Sequence, residues 1–331
     1  MKKLINDPYR VVDEMILGFA VAYSDRLRKL EGCNVIARND APVKGKVGVV
    51  VGGGSGHEPL FIGFVGEGMA DAASPGDVFA APSPNVTLEA TRVANGGRGV
   101  LYVYGNYAGD ILNFDMAAEL AEAEGIETET VRVWDDVASA PLERITERRG
   151  IAGDVFVIKT SGAMAMTGAP LSEVKRATEK ARNNTRSMGV ALSPATIPAT
   201  GRPTFTIAED EMEIGMGLHG ERGVERSKIR KVDEIAEEVT ERVLRDLPFK
   251  TGDEVNVLVN GLGSTTLMEL YIFNRKAREI LDEKEIVVYR TLVGSFCTCQ
   301  EMAGCSLTLM KLDEELKRLY DMPANCPHFK S

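Results

Sequence analysis

A strand of the buried type that runs directly into a glycine-rich segment is the feature that most restricts this chain. Valines at 49–51 precede glycines at 52–54 and 56, and the segment continues into His57. Such a strand is typical of an α/β protein in which the backbone approaches a small ligand closely, because glycine has no Cβ to block the approach. We therefore predict a site for a small polar ligand at the end of this strand.

The glycine segment does not match the usual nucleotide-binding patterns. A phosphate-binding P-loop needs a lysine where this chain has His57. In the dinucleotide-binding pattern, the third glycine would also fall on His57. The segment is therefore predicted to be a substrate site that contains an ionisable group. The alternative is a tight strand-to-helix turn in which His57 is only structural.

The length and the hydrophobic pattern indicate the fold class. A chain of 331 residues is long for one core, and apolar runs alternate with amphipathic helical patterns along it. We predict an α/β fold with two α/β domains, whose mixed sheets are flanked by helices. The N-terminal domain (1–185) would hold the glycine-rich site, and the C-terminal domain (186–331) would begin where a helical pattern gives way to a strand.

The same patterns predict individual elements. The predicted strands cover residues 48–51, 99–104, 129–133, 188–192, 254–259, 285–290 and 306–312. The predicted helices cover residues 8–23, 85–94, 111–124, 154–183, 232–247 and 265–281.

Charge and composition exclude several classes of protein. The net charge of −10, with no Lys/Arg block, argues against a nucleic-acid or anionic-membrane surface. No apolar run reaches the roughly 18 residues of a membrane span, and we expect a cytoplasmic protein. An odd number of cysteines, five, suits free thiols in a reducing compartment. We expect no metal site, because Cys297 and Cys299 have no second pair.

Two further segments could carry chemistry. Asp110 follows the end of a predicted strand, where its carboxylate either caps the next helix or lies at a ligand-binding edge. His219 is flanked by Gly217 and Gly220. A lone histidine is more often structural, yet both His57 and His219 lie in glycine-flanked segments. Together, His57, Asp110 and His219 form a candidate set of base, acid and nucleophile.

A series of ordered motifs along essentially the whole chain resembles the substrate-binding subunit family of the dihydroxyacetone kinases. The motifs are GGGSGHEP at 52–59, PSP at 82–84, NYAGDILNF at 106–114, RRG at 148–150, GLHGE at 217–221, VNGLG at 259–263 and AGCSLT at 303–308.

The resemblance implies roles for the candidate residues. His219 would add reversibly to a ketone carbonyl and hold the substrate as a hemiaminal, with its tautomer fixed by a partner that the sequence does not name. His57 would donate a hydrogen bond or accept a proton, and Asp110 would be the catalytic carboxylate. The remaining substrate contacts would come from Gly54, Ser55, Gly56 and Gly105.

The resemblance also implies a function and partners. The chain would be the ketose-binding subunit of a dihydroxyacetone kinase, giving dihydroxyacetone phosphate, and would be a homodimer without a cofactor of its own. ADP or ATP with Mg would lie on a separate helical subunit. In one branch of the family a phosphotransferase-system protein recharges the bound ADP, and in another ATP is used directly.

Two alternatives stay open. Family members often have a lysine at the position of Gly105. If the family contact is made by the backbone, glycine preserves it; if the side chain makes it, the site here is larger and less basic, which would suit a four-carbon ketose such as erythrulose. The other alternative is a ketose-sensing transcriptional coactivator. The presence of His57, Asp110 and His219 together favours an enzyme, since a sensor could dispense with Asp110.

Overall fold

The computed structural model describes residues 2–331, which form eight α-helices and fourteen strands. The helices are α1 (Val11–Ala22), α2 (Pro84–Ala94), α3 (Ala108–Ala123), α4 (Asp154–Met166), α5 (Leu171–Asn183), α6 (Val232–Asp246), α7 (Leu267–Glu283) and α8 (Glu314–Asp321). The strands are β1 (Leu27–Lys29), β2 (Ile36–Arg38), β3 (Gly48–Ser55), β4 (Ala72–Val78), β5 (Val100–Gly105), β6 (Thr128–Val133), β7 (Thr185–Ser193), β8 (Glu211–Ile214), β9 (Glu225–Lys228), β10 (Glu254–Gly261), β11 (Val287–Gly294), β12 (Ala303–Lys311), β13 (Asn325–Cys326) and β14 (Phe329–Lys330).

Most strands belong to two six-stranded mixed sheets. The first has the order β1-β2-β4-β3-β5-β6, with parallel pairing from β4 to β6 and antiparallel pairing at β1 and β2. The second has the order β11-β10-β12-β7-β8-β9, in which only β10 and β11 pair in parallel. Strands β3 and β5 are buried along their whole length, as expected for parallel strands covered on both faces.

These sheets confirm the predicted α/β fold with two mixed sheets flanked by helices. Strands of the first sheet lie before residue 134 and strands of the second lie between residues 185 and 311. The division into domains 1–185 and 186–331 stays a prediction. One apolar core cluster draws on both parts of the chain, with Phe64 and Phe156 from the first and Leu258 and Met310 from the second.

The structure corrects two predicted elements. The single helix predicted over 154–183 is two helices, because the chain turns at Gly168 (φ +75°) and Pro170 is extended at the N-cap of α5. The glycine segment after Val51 is not the turn itself, since β3 continues through it to Ser55 and the chain turns only at Gly56 (φ +97°).

The fold brings the carboxyl ends of β3 and β5 together with two loops from the second half of the chain. Because β3 and β5 are adjacent and parallel, their carboxyl ends meet at the same edge of the first sheet. Loops of the second half, at 215–224 and 295–300, complete this region through the contacts described below. None of the helices within residues 2–331 is both long and apolar enough to cross a membrane.

Candidate functional site

Glycines let other side chains and backbone pack directly against the end of β3. A Cβ on Gly53 would overlap the ring of Phe61, and a Cβ on Gly54 would lie 2.8 Å from the amide nitrogen of Ala80. At Gly56 it would lie 2.7 Å from the ring of Phe79. The glycines therefore allow close packing around the site, and Gly56 also forms the turn that precedes His57.

His57 is buried and held through its Nδ1 atom. Its Nδ1–H donates to the carbonyl oxygen of Thr298 (2.7 Å), and the Thr298 amide donates back to the His57 carbonyl (3.2 Å). The hydroxyl of Thr298 donates to the carbonyl of Glu58 (2.8 Å). The cysteine-rich segment at 295–300 therefore acts as a clamp that fixes the orientation of the His57 ring.

His219 is held by the carboxylate of Glu221. Its Nδ1–H donates to Oε1 of Glu221 (2.9 Å), and its backbone amide donates to Oε2 (2.9 Å). Arg149 supports the same loop, because its guanidinium donates to the Gly215 carbonyl (3.1 Å) and pairs with Asp136 (2.8 Å). Glu221 is thus the partner on the second ring nitrogen that the sequence alone did not name.

The two histidines meet through their Nε2 atoms, which lie 3.0 Å apart. A carbonyl or carboxylate oxygen can only accept, so both Nδ1 atoms carry a proton and both neutral rings would present a lone pair at Nε2. A hydrogen bond between two lone pairs needs one additional proton. A proton shared between the two Nε2 atoms would provide it, and the carboxylate of Glu221 would balance its charge.

Burial opposes a positive charge on the His57 ring. Burial lowers the pKa of His57 to about 3, and the positive charge of His219 lowers it as well. Burial works to raise the pKa of Glu221, but its hydrogen bond and charge interaction with His219 outweigh burial and lower this pKa to about 2. The resting site therefore contains a neutral His57 and an ionised Glu221.

Asp110 lies in the first turn of α3 and is buried. Its Oδ1 atom has no hydrogen-bond partner, and the N-cap position of this helix is Tyr107, so Asp110 does not occupy the cap. Burial raises the pKa of Asp110 to about 7, with the nearby charge of His219 opposing the rise. A carboxyl group of this kind can act as a base near neutral pH.

Two aromatic rings enclose His219. The ring of Tyr107 lies 4.8 Å from the His219 ring, edge to face, and its buried hydroxyl has no hydrogen-bond partner. Phe79 contacts both histidines, with ring centroids 5.1 Å from His57 and 5.5 Å from His219. Phe79 has a φ of +57°, a strained conformation for a residue with a side chain.

The predicted site residues differ in what they contact and in whether their hydrogen-bonding groups are already paired. His57 and His219 are in contact, and the charge of His219 acts on Asp110. The hydroxyl of Ser55 is already bonded to the Gly76 carbonyl (2.7 Å). The Gly56 amide is bonded to the carboxylate of Glu58, and the Gly105 carbonyl accepts from the Tyr107 amide (2.9 Å). The catalytic and binding roles of these residues stay predictions.

Sequence reasoning missed several residues of the site. Glu221 had a signal, since it follows His219 by two positions in the GLHGE motif. The other contacts had none, because a backbone carbonyl such as that of Thr298 and a loop phenylalanine such as Phe79 carry no recognisable pattern. Across residues 2–331, no group of three or more His, Cys, Asp or Glu side chains is arranged to hold a metal ion.

The side chain of Asn260 holds the clamp at 295–300 through hydrogen bonds, so its replacement is expected to lower the stability of the fold. Its buried amide donates to the Cys297 carbonyl (2.7 Å) and accepts from the amides of Phe296 (2.8 Å) and Cys297 (2.9 Å). We expect Asn260→Ala to lower the free energy of unfolding by about 2–4 kcal/mol, because these buried groups lose their partners. Urea denaturation measures this loss.

Asn256 is a matched control for this prediction. It lies on the same strand and is fully buried, but neither polar atom of its side chain has a hydrogen-bond partner. Asn256→Ala is expected to change stability by less than about 1 kcal/mol, since no hydrogen bond is lost. Equal losses in the two variants would contradict the clamp.

Comparisons with known proteins identify the family of this chain. The Dak1 domain family matches residues 17–328. The dihydroxyacetone-binding subunit DhaK of PTS-dependent dihydroxyacetone kinase 2 from Listeria innocua is 45% identical over 331 residues, which cover 100% of this chain and 99% of that protein. The L-erythrulose kinase of Pectobacterium atrosepticum is 41% identical over 334 residues, which cover 100% of this chain but 56% of that protein.

A solved structure has the same fold. The dihydroxyacetone kinase operon co-activator DhaQ superposes with a TM-score of 0.89 at 33% identity, covering 95% of this chain and 97% of that chain. The family match over nearly the whole chain confirms the predicted resemblance. The chain therefore belongs to the Dak1 domain family, among the substrate-binding DhaK subunits of dihydroxyacetone kinases.

Proposed function

We propose that this chain is the ketose-binding subunit of a dihydroxyacetone kinase. It holds dihydroxyacetone as a hemiaminal on His219 while a separate nucleotide-bearing subunit transfers a phosphoryl group, giving dihydroxyacetone phosphate. The observation that carries the proposal is the 3.0 Å contact between the Nε2 atoms of His57 and His219, with both Nδ1 atoms held as donors. This arrangement provides a nucleophile and a proton donor beside each other.

The shared proton accounts for the capture step. It moves to Nε2 of His57, which frees the lone pair of His219 for attack on the carbonyl carbon. A C–N bond forms, the π bond of the carbonyl breaks, and the oxygen takes the proton from His57. Because burial lowers the pKa of His57 to about 3, this ring gives up the proton readily. The positive charge remains on the His219 ring, where Glu221 balances it.

Covalent capture suits a substrate this small. Dihydroxyacetone has so few atoms that noncovalent contacts give limited affinity. A bond to its carbonyl also separates it from glycerol, which has no carbonyl to attack. Tyr107 and Phe79 pack against His219 and shield the adduct from water.

Asp110 accounts for the transfer step. Its carboxylate accepts the proton of a terminal hydroxyl while that oxygen forms a bond to phosphorus and the bond from phosphorus to the nucleotide breaks. Burial raises the pKa of Asp110 to about 7, which matches the requirement for a base near neutral pH. The free Oδ1 atom is available to accept this proton.

The proposal extends to partners. The nucleotide, ADP or ATP with Mg, is held by the partner subunit, and the "PTS-dependent" name of the Listeria innocua relative supports a phosphotransferase-system protein as the source of the phosphoryl group. We also propose that the chain is a cytoplasmic homodimer. The two units of its fold correspond to residues 1–185 and 186–331.

A second candidate function is a ketose-sensing coactivator. The structural similarity to DhaQ, with a TM-score of 0.89, favours it. The buried and unpartnered Asp110 favours the kinase, since sensing needs no base for a terminal hydroxyl. An assay of phosphoryl transfer with the partner subunit separates the two, because a sensor captures the ketose without turning it over.

Carbon NMR tests the proposed function directly. With carbonyl-labelled dihydroxyacetone, the purified chain is expected to move the bound carbonyl signal into the range of a tetrahedral carbon. The experiment needs no partner subunit. Labelled glycerol is the control and should give no bound signal. A bound ketose whose carbonyl signal stays in the trigonal range would contradict the hemiaminal.

A further inference from the structure

Lys3 joins the N-terminal segment to the clamp that holds His57. Its ammonium group donates to Oε1 of Gln300 (2.8 Å) and pairs with the carboxylate of Glu301, almost 300 positions along the chain. The side chain of Lys3 is only 15% exposed, whereas the neighbouring Leu4 is fully exposed. A buried ammonium group is costly unless it is paired, so these two contacts account for its position. The capture and transfer steps leave Lys3 without a task.

Gln300 carries this contact to His57. Its backbone amide donates to the carbonyl of Gly56 (2.8 Å), directly before His57 in the chain. Gln300 has a φ of +48°, in the left-handed region that a residue with a side chain rarely adopts. Such a conformation persists only where the surroundings hold it. Gln300 is held at two points, its backbone by Gly56 and its side chain by Lys3.

Glu301 connects the same ammonium group to the other histidine of the pair. Its Oε1 atom accepts a hydrogen bond from the amide of Thr196 (3.1 Å), which lies in the loop between β7 and β8. This loop packs against the turn that follows His219, since a Cβ on Gly220 would lie 2.9 Å from the ring of Phe205. The ammonium group is therefore linked to the surroundings of both histidines.

The contact is not a major source of stability for the fold. The side chain of Glu301 is 41% exposed, and ion pairs that are open to solvent contribute little to the free energy of unfolding. What the ammonium group fixes is local, namely the conformation of Gln300 and the position of the Glu301 carboxylate. An effect of Lys3 on the site should therefore be separable from an effect on folding.

We propose that Lys3 is a positioning residue for ketose capture. Its ammonium group holds Gln300 and Glu301 in place and, through them, the orientation of the His57 and His219 rings. The proposal rests on the proposed capture at His219. It gives the N-terminal segment a role in the reaction although no atom of that segment touches either histidine.

The consequence of losing Lys3 follows from the contacts of the clamp. Without its side-chain partner, Gln300 relaxes from the left-handed conformation, and the clamp loosens around Gly56. The carbonyl of Thr298 then no longer fixes the Nδ1–H of His57, and this ring takes up both neutral tautomers. In the second tautomer Nε2 carries the proton, so His57 cannot accept one from the pair.

Nitrogen NMR of the histidine rings in the ligand-free chain tests the positioning directly. The wild-type chain should show the Nδ1–H tautomer of His57, and Lys3→Met should show a mixture of the two tautomers. Lys3→Arg keeps the charge and the N–H donors, so its spectrum should return toward that of wild type. Lys2→Met is the matched control, because this neighbouring lysine is exposed, and it should leave the tautomer unchanged.

Carbon NMR of the captured carbonyl then gives the dissociation constant for dihydroxyacetone. In Lys3→Met this constant should rise roughly threefold or more, because a misoriented His57 no longer supports the attack. In Lys3→Arg it should stay below the constant of Lys3→Met. The urea concentration at the midpoint of unfolding should be the same in wild type and in all three lysine variants.

Gln300→Leu is an independent arm, because it keeps the size of the side chain and removes the oxygen that Lys3 contacts. It should reproduce the tautomer mixture and the weaker capture. A wild-type His57 tautomer in both Lys3→Met and Gln300→Leu would overturn the inference, and so would an equal weakening of capture in Lys2→Met. If Lys3→Met does not fold, Gln300→Leu decides. Failure of the wild-type chain to capture any ketose would instead overturn the proposed function, and the spectra of the ligand-free chain would still decide the role of Lys3.

Discussion

Replacing His219 with alanine is expected to abolish covalent capture of dihydroxyacetone. The Nε2 atom of His219 is the only nucleophile that the proposed step uses, and His57 cannot replace it because its ring is fixed by Thr298 and lies 3.0 Å away. The tetrahedral carbon signal should disappear. Phosphoryl transfer should fall by roughly 10³-fold or more, since the substrate loses both its anchor and its orientation.

Two further variants sharpen this result. His328→Ala is the matched control, because this histidine lies in the C-terminal segment against Tyr23, where it takes no part in the pair, and capture should persist. Glu221→Gln can still accept from Nδ1–H but carries no charge, so capture should weaken roughly tenfold or more without disappearing. A tetrahedral adduct in His219→Ala as strong as in wild type would refute the mechanism.

The sequence predicted that His57 and His219 belong to one site, but it could not predict the geometry of their contact. His57 and His219 are 162 positions apart, and their glycine-rich surroundings indicated a common site. The proposed sharing of a proton depends on which atoms accept a hydrogen bond from each Nδ1. One of these is the backbone carbonyl of Thr298, whose position depends on the packing of a distant loop. Sequence patterns carry information on residue type and spacing. A hydrogen bond to a backbone carbonyl requires no particular residue type and no fixed spacing, so no pattern indicates it.

The errors in the fold have similar causes. Strand β4 was not predicted because its sequence, AASPGDV, contains a proline and a glycine and reads as a loop. It pairs with β2 and β3 all the same, since its small residues fit between covered strands. The break between α4 and α5 was missed although Gly168 and Pro170 mark it. There the local signal was present, and the long helical pattern on both sides obscured it.

Asp110→Asn is expected to separate capture from transfer. The variant keeps His57, His219 and Glu221, so the tetrahedral carbon signal should remain. Phosphoryl transfer, assayed with the nucleotide-bearing partner subunit, should fall roughly 10²–10⁴-fold because asparagine cannot accept the hydroxyl proton. Asp115→Asn is the matched control on the exposed face of the same helix and should retain transfer. Loss of capture in Asp110→Asn would contradict the division of roles.

The pH dependence of transfer tests the same assignment. With the pKa of Asp110 raised to about 7, the carboxylate form becomes available as the pH rises from 6 to 8, and the transfer rate should rise with it. The residual activity of Asp110→Asn should lack this rise. A wild-type rate that is flat across this range would contradict a base with a raised pKa.

The same carboxyl group should reduce the stability of the fold. Because the pKa of Asp110 is higher in the folded state than the usual 3.8 of the unfolded chain, wild type loses stability as the pH rises from about 4 to about 7. At pH 8, Asp110→Asn is therefore expected to be more stable than wild type in urea denaturation, by at most about 4 kcal/mol. At about pH 3 the difference should nearly vanish, since the carboxyl group is then largely protonated in both states. A variant less stable than wild type at pH 8 would mean that the ionised carboxylate is stabilised by the fold, and Asp110 would then lack the driving force of a base.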